Sequence, residues 1–215
     1  YNRTMHLPWS KGATNDDKIT DSVSSLLNVP IVITEKIDGS NTSLEFEGCF
    51  ARTHASVPTH ASFDGLKALH ASIKFKIPTK IQLFGEWVFA KHSIEYSELP
   101  GYFLLFNVRD LNREALWLSW EEVELWAEEV QVPTVPVLYQ GVISSENTLQ
   151  ELIEEFMTQK SCCGGIREGV VVRLQGEFSD NMFSKSVMKC VRANHVQTSE
   201  HWKNQEIIKN KLKPS

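Results

Sequence analysis

Val29-Pro30-Ile31-Val32-Ile33-Thr34-Glu35-Lys36-Ile37-Asp38-Gly39-Ser40-Asn41 is a β-branched run that ends on a lysine and turns at a glycine. The spacing predicts a strand over 29–37, entered through Pro30. Alternation along that strand places Lys36 and Asp38 on one face. Gly39 then opens a turn where a ligand can approach the backbone. A lysine at a strand end becomes a nucleophile once its amine loses its proton, and nearby cations favour that loss. The same residues also suit a hairpin turn with a surface salt bridge, so Lys36 and Asp38 need partners elsewhere in the chain.

Downstream, Thr42–Phe46 alternates and Gly48 turns it into Cys49–Thr53, a meander. Further strands are expected over Lys80–Phe89, Tyr102–Val108, Val135–Tyr139, Gly169–Leu174 and Ser186–Val191. Helical spacing marks Phe63–Phe75 and the face made by Leu149, Leu152, Ile153 and Phe156. Ser119 with Glu122 is a capping box before Val123, Trp126 and Val130. Short helices are read at Asn15–Leu27 and, capped by Thr198, over a C-terminal stretch bearing Trp202, Ile207, Ile208 and Leu212. Strands with irregularly interspersed helices imply an α+β fold with antiparallel sheets.

Composition sets the outer limits. The chain has 215 residues, 41% apolar and 23% charged, which fits one globular domain or one domain with an appendage. No apolar run reaches the roughly 20 residues of a bilayer span, and no secretory leader is visible. Cys49, Cys162, Cys163 and Cys190 form no C-x-x-C, so a reducing, intracellular setting (cytoplasmic or nuclear) without a disulfide or zinc site is expected. Net charge is −5, but residues 110–160 carry 2 basic and 11 acidic groups, while residues 185–215 carry 7 basic and 2 acidic ones. A polyanion would be repelled by the middle and met at the C-terminal end.

Four more segments carry chemistry. Phe84-Gly85-Glu86-Trp87 puts a carboxylate into an apolar strand, where it needs donors such as a ribose hydroxyl pair. Tyr102-Phe103-Leu104-Leu105-Phe106-Asn107 is an aromatic strand from which one ring could stack on a base. Arg167-Glu168-Gly169-Val170-Val171-Val172-Arg173 sets a glutamate before a β-branched strand, and Ser186-Val187-Met188-Lys189-Cys190-Val191-Arg192 ends on cations. Each piece has a structural explanation. Five of them in one order do not.

In that order the chain resembles the covalent nucleotidyltransferase superfamily of ATP-dependent RNA ligases, DNA ligases and mRNA capping enzymes. Lys36–Asn41 is similar to motif I, Arg52 to motif Ia, Glu86 to motif III, the strand ending at Phe106 to motif IIIa, Glu168–Arg173 to motif IV and the segment around Lys189 to motif V. Asn41, where DNA ligases usually have arginine, and the run from Gly85 through His92, Ser93 and Ile94 to Tyr96 look like the RNA ligases. DNA ligases and capping enzymes carry an OB domain after motif V, but only 23 residues follow Arg192 here, too few for such a barrel.

The resemblance implies a nucleotidyltransferase domain over 1–195, ATP-grasp-like and without an OB domain, with a basic C-terminal helix over 196–215. It implies ATP and Mg²⁺ as cofactors, with Mn²⁺ as a substitute. A monomer joining RNA 5′-phosphate and 3′-hydroxyl ends, away from membranes, follows. Lys36 would form lysyl-AMP. Glu86 would bind the ribose and Phe106 (Phe103 as runner-up) the adenine face, with Glu35 at its edge and Gly39 letting the nucleotide close to the backbone. Arg52 and Lys189 would contact phosphates. Asp38 and Glu168 would hold the metal, and Asn41 would assist later steps. Motif V often has two lysines separated by one residue, whereas Val191 stands in the second place here, so Lys185 and Arg192 are both candidates for the missing cation. Asn107 replaces a common aspartate.

Three features lie outside the pattern. Arg3 or His6 could reach the triphosphate or RNA, although packing of Leu7, Pro8 and Trp9 on the sheet explains residues 1–10 as well. His195 and His201 have no ligand spacing, and His92 reads as structural. Lys209, Lys211 and Lys213 could guide the RNA backbone. The alternatives are a DNA ligase or GTP-using capping fragment, and a silent nucleotide- or RNA-binding module.

Overall fold

The computed structural model describes residues 1–52, 56–193 and 206–214. Two five-stranded sheets form its frame. The first has the order β1-β10-β9-β2-β8, with β1 (Met5–His6), β2 (Pro30–Lys36), β8 (Val137–Val142), β9 (Gly169–Leu174) and β10 (Val187–Val191). The second has the order β4-β3-β5-β6-β7, with β3 (Ser40–Leu44), β4 (Cys49–Ala51), β5 (Ile81–Trp87), β6 (Phe103–Asp110) and β7 (Leu116–Trp117). Pairing is antiparallel except between β1 and β10.

The alternation of β2 sorts its side chains between two cores. Ile31 and Ile33 join Val170, Val172, Met188 and Cys190 beneath helix α3 (Glu146–Thr158), which contributes Leu149 and Ile153. Each such buried aliphatic side chain is worth roughly 1.5–3 kcal/mol. Val32 faces the other way, into the larger core shared with the second sheet. The residues in step with it, Thr34 and Lys36, line a cleft between the sheets. The chain crosses from the first sheet to the second within three residues, Ile37–Gly39, because β3 starts at Ser40.

Helices α1 (Asp64–Ile73) and α2 (Trp120–Val130) pack on the second sheet's core through Leu66 and Ile73, and through Trp120, Val123, Ala127 and Val130. The Ser119–Glu122 capping box is complete. A short helix α4 (Phe183–Ser186) leads into β10. The four cysteines are free thiols, and among the described residues no helix is long and apolar enough to cross a membrane.

Two expected helices differ. Residues 15–27 contain only a 3₁₀ turn at Ser24–Leu26. Residues 18–20 instead run alongside β1: His6 donates to the Lys18 carbonyl and Thr20 donates to that of His6, both at 2.8 Å. The Asp17 carboxylate accepts from the Thr14 amide at 2.9 Å, closing a turn instead of capping a helix. The expected C-terminal helix lies partly outside the described residues, over 198–205. Ile207 to Leu212 form an extended strap, bridged to Ala90 through Lys209 and to Leu99 through Leu212. Edge pairing and the burial of Asn210 outweigh helical spacing there. His195 and His201 are outside the described residues.

Candidate active site

The cleft between the sheets has a volume of about 500 Å³, within the range of small-molecule sites. The first sheet presents Thr34 and Lys36 from β2, Val171 and Arg173 from β9, and Val187 and Lys189 from β10. In each strand these are the side chains out of phase with those under α3. The second sheet supplies Asn41, Arg52, Glu86 and Phe106, and Glu168 enters just before β9. Segments about 150 residues apart thus converge on Lys36.

The Lys36 amine lies 2.5 Å from Glu168 Oε1, and the Glu168 side chain is 1% exposed. Burial works to lower the Lys36 pKa, but the carboxylates of Glu168, Glu86 and Asp38 outweigh it and hold the amine above the ordinary lysine value. In the free protein Lys36 is therefore an ammonium. Burial pushes Glu86 up to about 8, with the Lys36 charge opposing it. Burial, and then repulsion from Lys36, brings Lys189 down to about 8. Two cations at the floor of one cleft form a site that anionic ligands would relieve.

The turn carrying Lys36 is tightly built. Gly39 is required by close packing: a Cβ there would lie 2.6 Å from Val88 Cγ1 and 2.7 Å from the Trp87 carbonyl. Glu86 stands opposite Asn41 in the β3–β5 pair. Asp38 Oδ2 accepts from the Ser93 amide (2.9 Å), the Ser93 hydroxyl (2.7 Å) and the Ile94 amide (3.0 Å). That oxygen orients the 93–94 loop. Asn41 Oδ1 and Glu35 Oε1 are buried without a hydrogen-bond partner among the described residues, and both residues line the cleft. Donors on a ligand would satisfy them. Glu35 Oε2 accepts from the Cys162 amide at 2.9 Å and pairs with Arg167 at 3.4 Å.

Phe106 reaches the cleft through a bulge. In the β5–β6 pair Phe84 faces Asn107 and Gly85 faces Leu105, so Phe106 is the extra residue. Phe103 is 2% exposed and packs over Gly85, where a Cβ would lie 2.3 Å from its ring. Asn107 accepts from Arg173 at 2.9 Å and donates to the Tyr1 hydroxyl at 3.3 Å. A neutral amide can serve both partners at once, whereas a carboxylate only accepts.

Some expected residues are not gathered here. Lys185 is exposed on α4 and Arg192 is half-buried past β10, and neither lines the cleft, whereas Arg52 and Lys189 both do. Arg3 is exposed beside Asp17. His6 is buried, bonded to Ser10 at 2.7 Å and beside Asp17 at 3.4 Å. Neither reaches the cleft, where Tyr1, Asn2 and Thr4 stand instead. The Tyr1 ring packs edge-on against Phe106, with centroids 5.1 Å apart. No local pattern marks Tyr1, since its place depends on β1 joining β10. His92 also lines the cleft, its Nε2 3.4 Å from the Ser40 hydroxyl.

Among the described residues no group of three or more His, Cys, Asp or Glu side chains could hold a metal ion. A cation here would need ligands from a substrate or water as well as Glu168.

No curated protein matches the chain. Solved structures match in fold: the RNA ligase of Naegleria gruberi with pyrophosphate has a TM-score of 0.59 at 20% identity over 80% of this chain and 52% of that one. A mutant of that ligase with ATP and Mn (TM-score 0.56, 18% identity) and another with AMP and Mn (0.56, 18%) each match over 80% of this chain and 52% of theirs. The chain thus spans about half the length of these ligases. The family model described as RNA ligase matches residues 29–191, from the start of β2 to the end of β10, and the chain belongs to the RNA ligase family.

Proposed function

We propose that this chain is the ATP-grasp-like nucleotidyltransferase domain of an ATP-dependent RNA ligase, with Lys36 as the nucleophile. The observation that carries this reading is the Lys36 amine, at the end of a strand, in a cleft that also holds Glu86, Glu168, Lys189 and Phe106. Adenine stacks on Phe106 and gives its amino edge to Glu35. The ribose hydroxyls donate to Glu86. The triphosphate runs toward Lys189 and Arg52, whose charges meet the negative charge of the transition state.

Glu168 and Asp38 would hold Mg²⁺ or Mn²⁺, and the cation would supply charge neutralisation for the phosphates. Glu168 Oε1, 2.5 Å from Lys36 Nζ, is placed to hold the proton that the amine must lose before it reacts, and burial favours the neutral amine. Lys36 Nζ attacks the α-phosphorus, a P–N bond forms and pyrophosphate leaves. An RNA 5′-phosphate oxygen next takes the adenylyl group, breaking the P–N bond. A 3′-hydroxyl finally displaces AMP to make a 3′–5′ phosphodiester, with Asn41 assisting these later steps. The product chemistry is RNA repair or end joining, carried out by a monomer.

Incubation with ATP and Mg²⁺ is expected to add one AMP to Lys36, read as a mass increase that Lys36→Ala lacks. A wild-type protein that takes up no label under varied metal and pH would overturn the reading.

A further inference from the structure

The strap at 206–214 is joined to the catalytic turn by an unbroken series of buried hydrogen bonds. Asn210 is 1% exposed. Its Oδ1 accepts from the Tyr96 amide at 2.9 Å, and its Nδ2 donates to the Val88 carbonyl at 3.0 Å. Its main chain is held as well: the amide donates to Phe89 at 2.9 Å, and the carbonyl accepts from the Tyr102 hydroxyl at 3.1 Å. The next residue, Lys211, donates its amide to the Tyr96 carbonyl at 2.9 Å. Tyr96 is therefore gripped at both main-chain groups by the strap.

Tyr96 passes that grip onward. Its side chain is fully buried, and its hydroxyl oxygen accepts from the Asp38 amide at 2.8 Å. Ser93 and Ile94, on the same loop, hold the Asp38 carboxylate. Asp38 is thus fixed at its amide and at its side chain by the loop between β5 and β6. That loop has no regular structure of its own and is tied down by the strap at Lys91, Tyr96 and Leu99. Lys36 is the last residue of β2 to pair with β9, at Gly169. Past it, the hold on Asp38 joins the burial of Ile37 and the packing of Gly39 in setting the direction of the chain.

We propose that Asn210 is a positioning residue for Lys36, acting through Tyr96 and Asp38. The strap would then set the aim of the nucleophile from more than 170 residues away in sequence, without touching the nucleotide. The inference rests on the proposed ligase reading for its catalytic consequence only. An aim error near 1 Å at a reacting centre costs up to about a hundredfold in rate. Among the contacts assigned to the nucleotide, Glu86 and Phe106 sit on β5 and β6, and Glu35 is held separately by the Cys162 amide and Arg167.

The test uses Asn210→Ala, Tyr96→Phe and the double variant. Single-turnover lysyl-AMP formation at saturating ATP is expected to slow by roughly ten- to a hundredfold in each single variant. The rate loss should exceed any change in the KM for ATP, because Glu35 and Phe106 are held independently of the strap. The double variant should be no slower than the worse single one, as for two links in series. Amide exchange at Asp38 should accelerate in Asn210→Ala while exchange at Val170 and Val172 does not. Rate losses that multiply, that simply follow the folded fraction, or that leave Asp38 exchange unchanged would overturn the proposal. Tyr96→Phe keeps the strap docked, which guards against an Asn210 variant that does not fold. A wild-type chain that forms no lysyl-AMP would sink the ligase reading, and the exchange measurement would still decide the positioning.

Discussion

Replacing Glu168 with glutamine should make Lys36 a freer amine and at the same time a worse catalyst. The Lys36–Glu168 contact is 2.5 Å long, with the lysine side chain 21% exposed and the glutamate 1%. An opposite charge at such a distance is worth about 1.4–4 kcal/mol of preference for the ammonium. Glutamine keeps the shape and removes the charge. Burial, which already works to lower the Lys36 pKa, then faces only Glu86 and Asp38. The sign follows directly. In the wild type the raised pKa stabilises the fold below the ordinary lysine value of 10.5 and that contribution is lost as pH rises through the folded value. In Glu168→Gln the balance moves toward a depressed lysine, so the variant is less stable at pH 7 and recovers as Lys36 discharges on the way to pH 10. The assay is competitive acetylation of Lys36 from pH 7 to 11, read by mass spectrometry, beside urea denaturation at both ends of that range. Lys36 in the variant should acetylate about 10- to 1000-fold faster than in the wild type near pH 8. Lysyl-AMP formation should fall by at least about a hundredfold, since the carboxylate proposed to hold the metal is gone. Acetylation profiles that superimpose would refute the electrostatic argument, and adenylylation that rises together with acetylation would refute the second role of Glu168.

Other outcomes follow from the same cleft. Glu86 is pushed up to about 8, so its burial weakens the fold as pH rises from 4.5 to 8; Glu86→Gln should flatten that part of the stability curve, measured by thermal melts across pH, and should raise the KM for ATP. Phe106→Ala should weaken ATP binding by about 1–3 kcal/mol, the usual worth of a base–aromatic stack; titration of the Lys36→Ala background with ATP checks it. Lys189→Met should abolish lysyl-AMP formation yet raise Tm at pH 7, because it removes a cation that burial and Lys36 hold down to about 8. Removing Lys209, Lys211 and Lys213 together should lower the salt dependence of RNA joining by about 2 in log–log slope and leave adenylylation from ATP alone unchanged.

Hydrophobic pattern and residue order carried most of the architecture. The run from Pro30 to Lys36 is a strand because β-branched side chains on both its faces are covered, and the register of Gly169–Leu174 and Val187–Val191 follows from the same alternation. The capping box at Ser119 and Glu122 is local chemistry and was legible as such. Lys36, Glu86, Phe106, Glu168 and Lys189 stood out through the family resemblance of their order along the chain, and all five line the cleft, four from strands and Glu168 from one residue before β9. Three things depended on contacts between distant segments. The segment at 15–27 departs from helical spacing where β1 offers residues 18–20 main-chain partners. Lys185 and Arg192 were both open as a second cation beside Lys189, and neither lines the cleft, whereas Lys189 occupies a strand position out of phase with the residues under α3. Tyr1 and Asn210 enter the site or its support through pairings more than a hundred residues long, and a one-dimensional pattern carries no signal for a hydrogen bond whose two partners meet only after the sheets have packed.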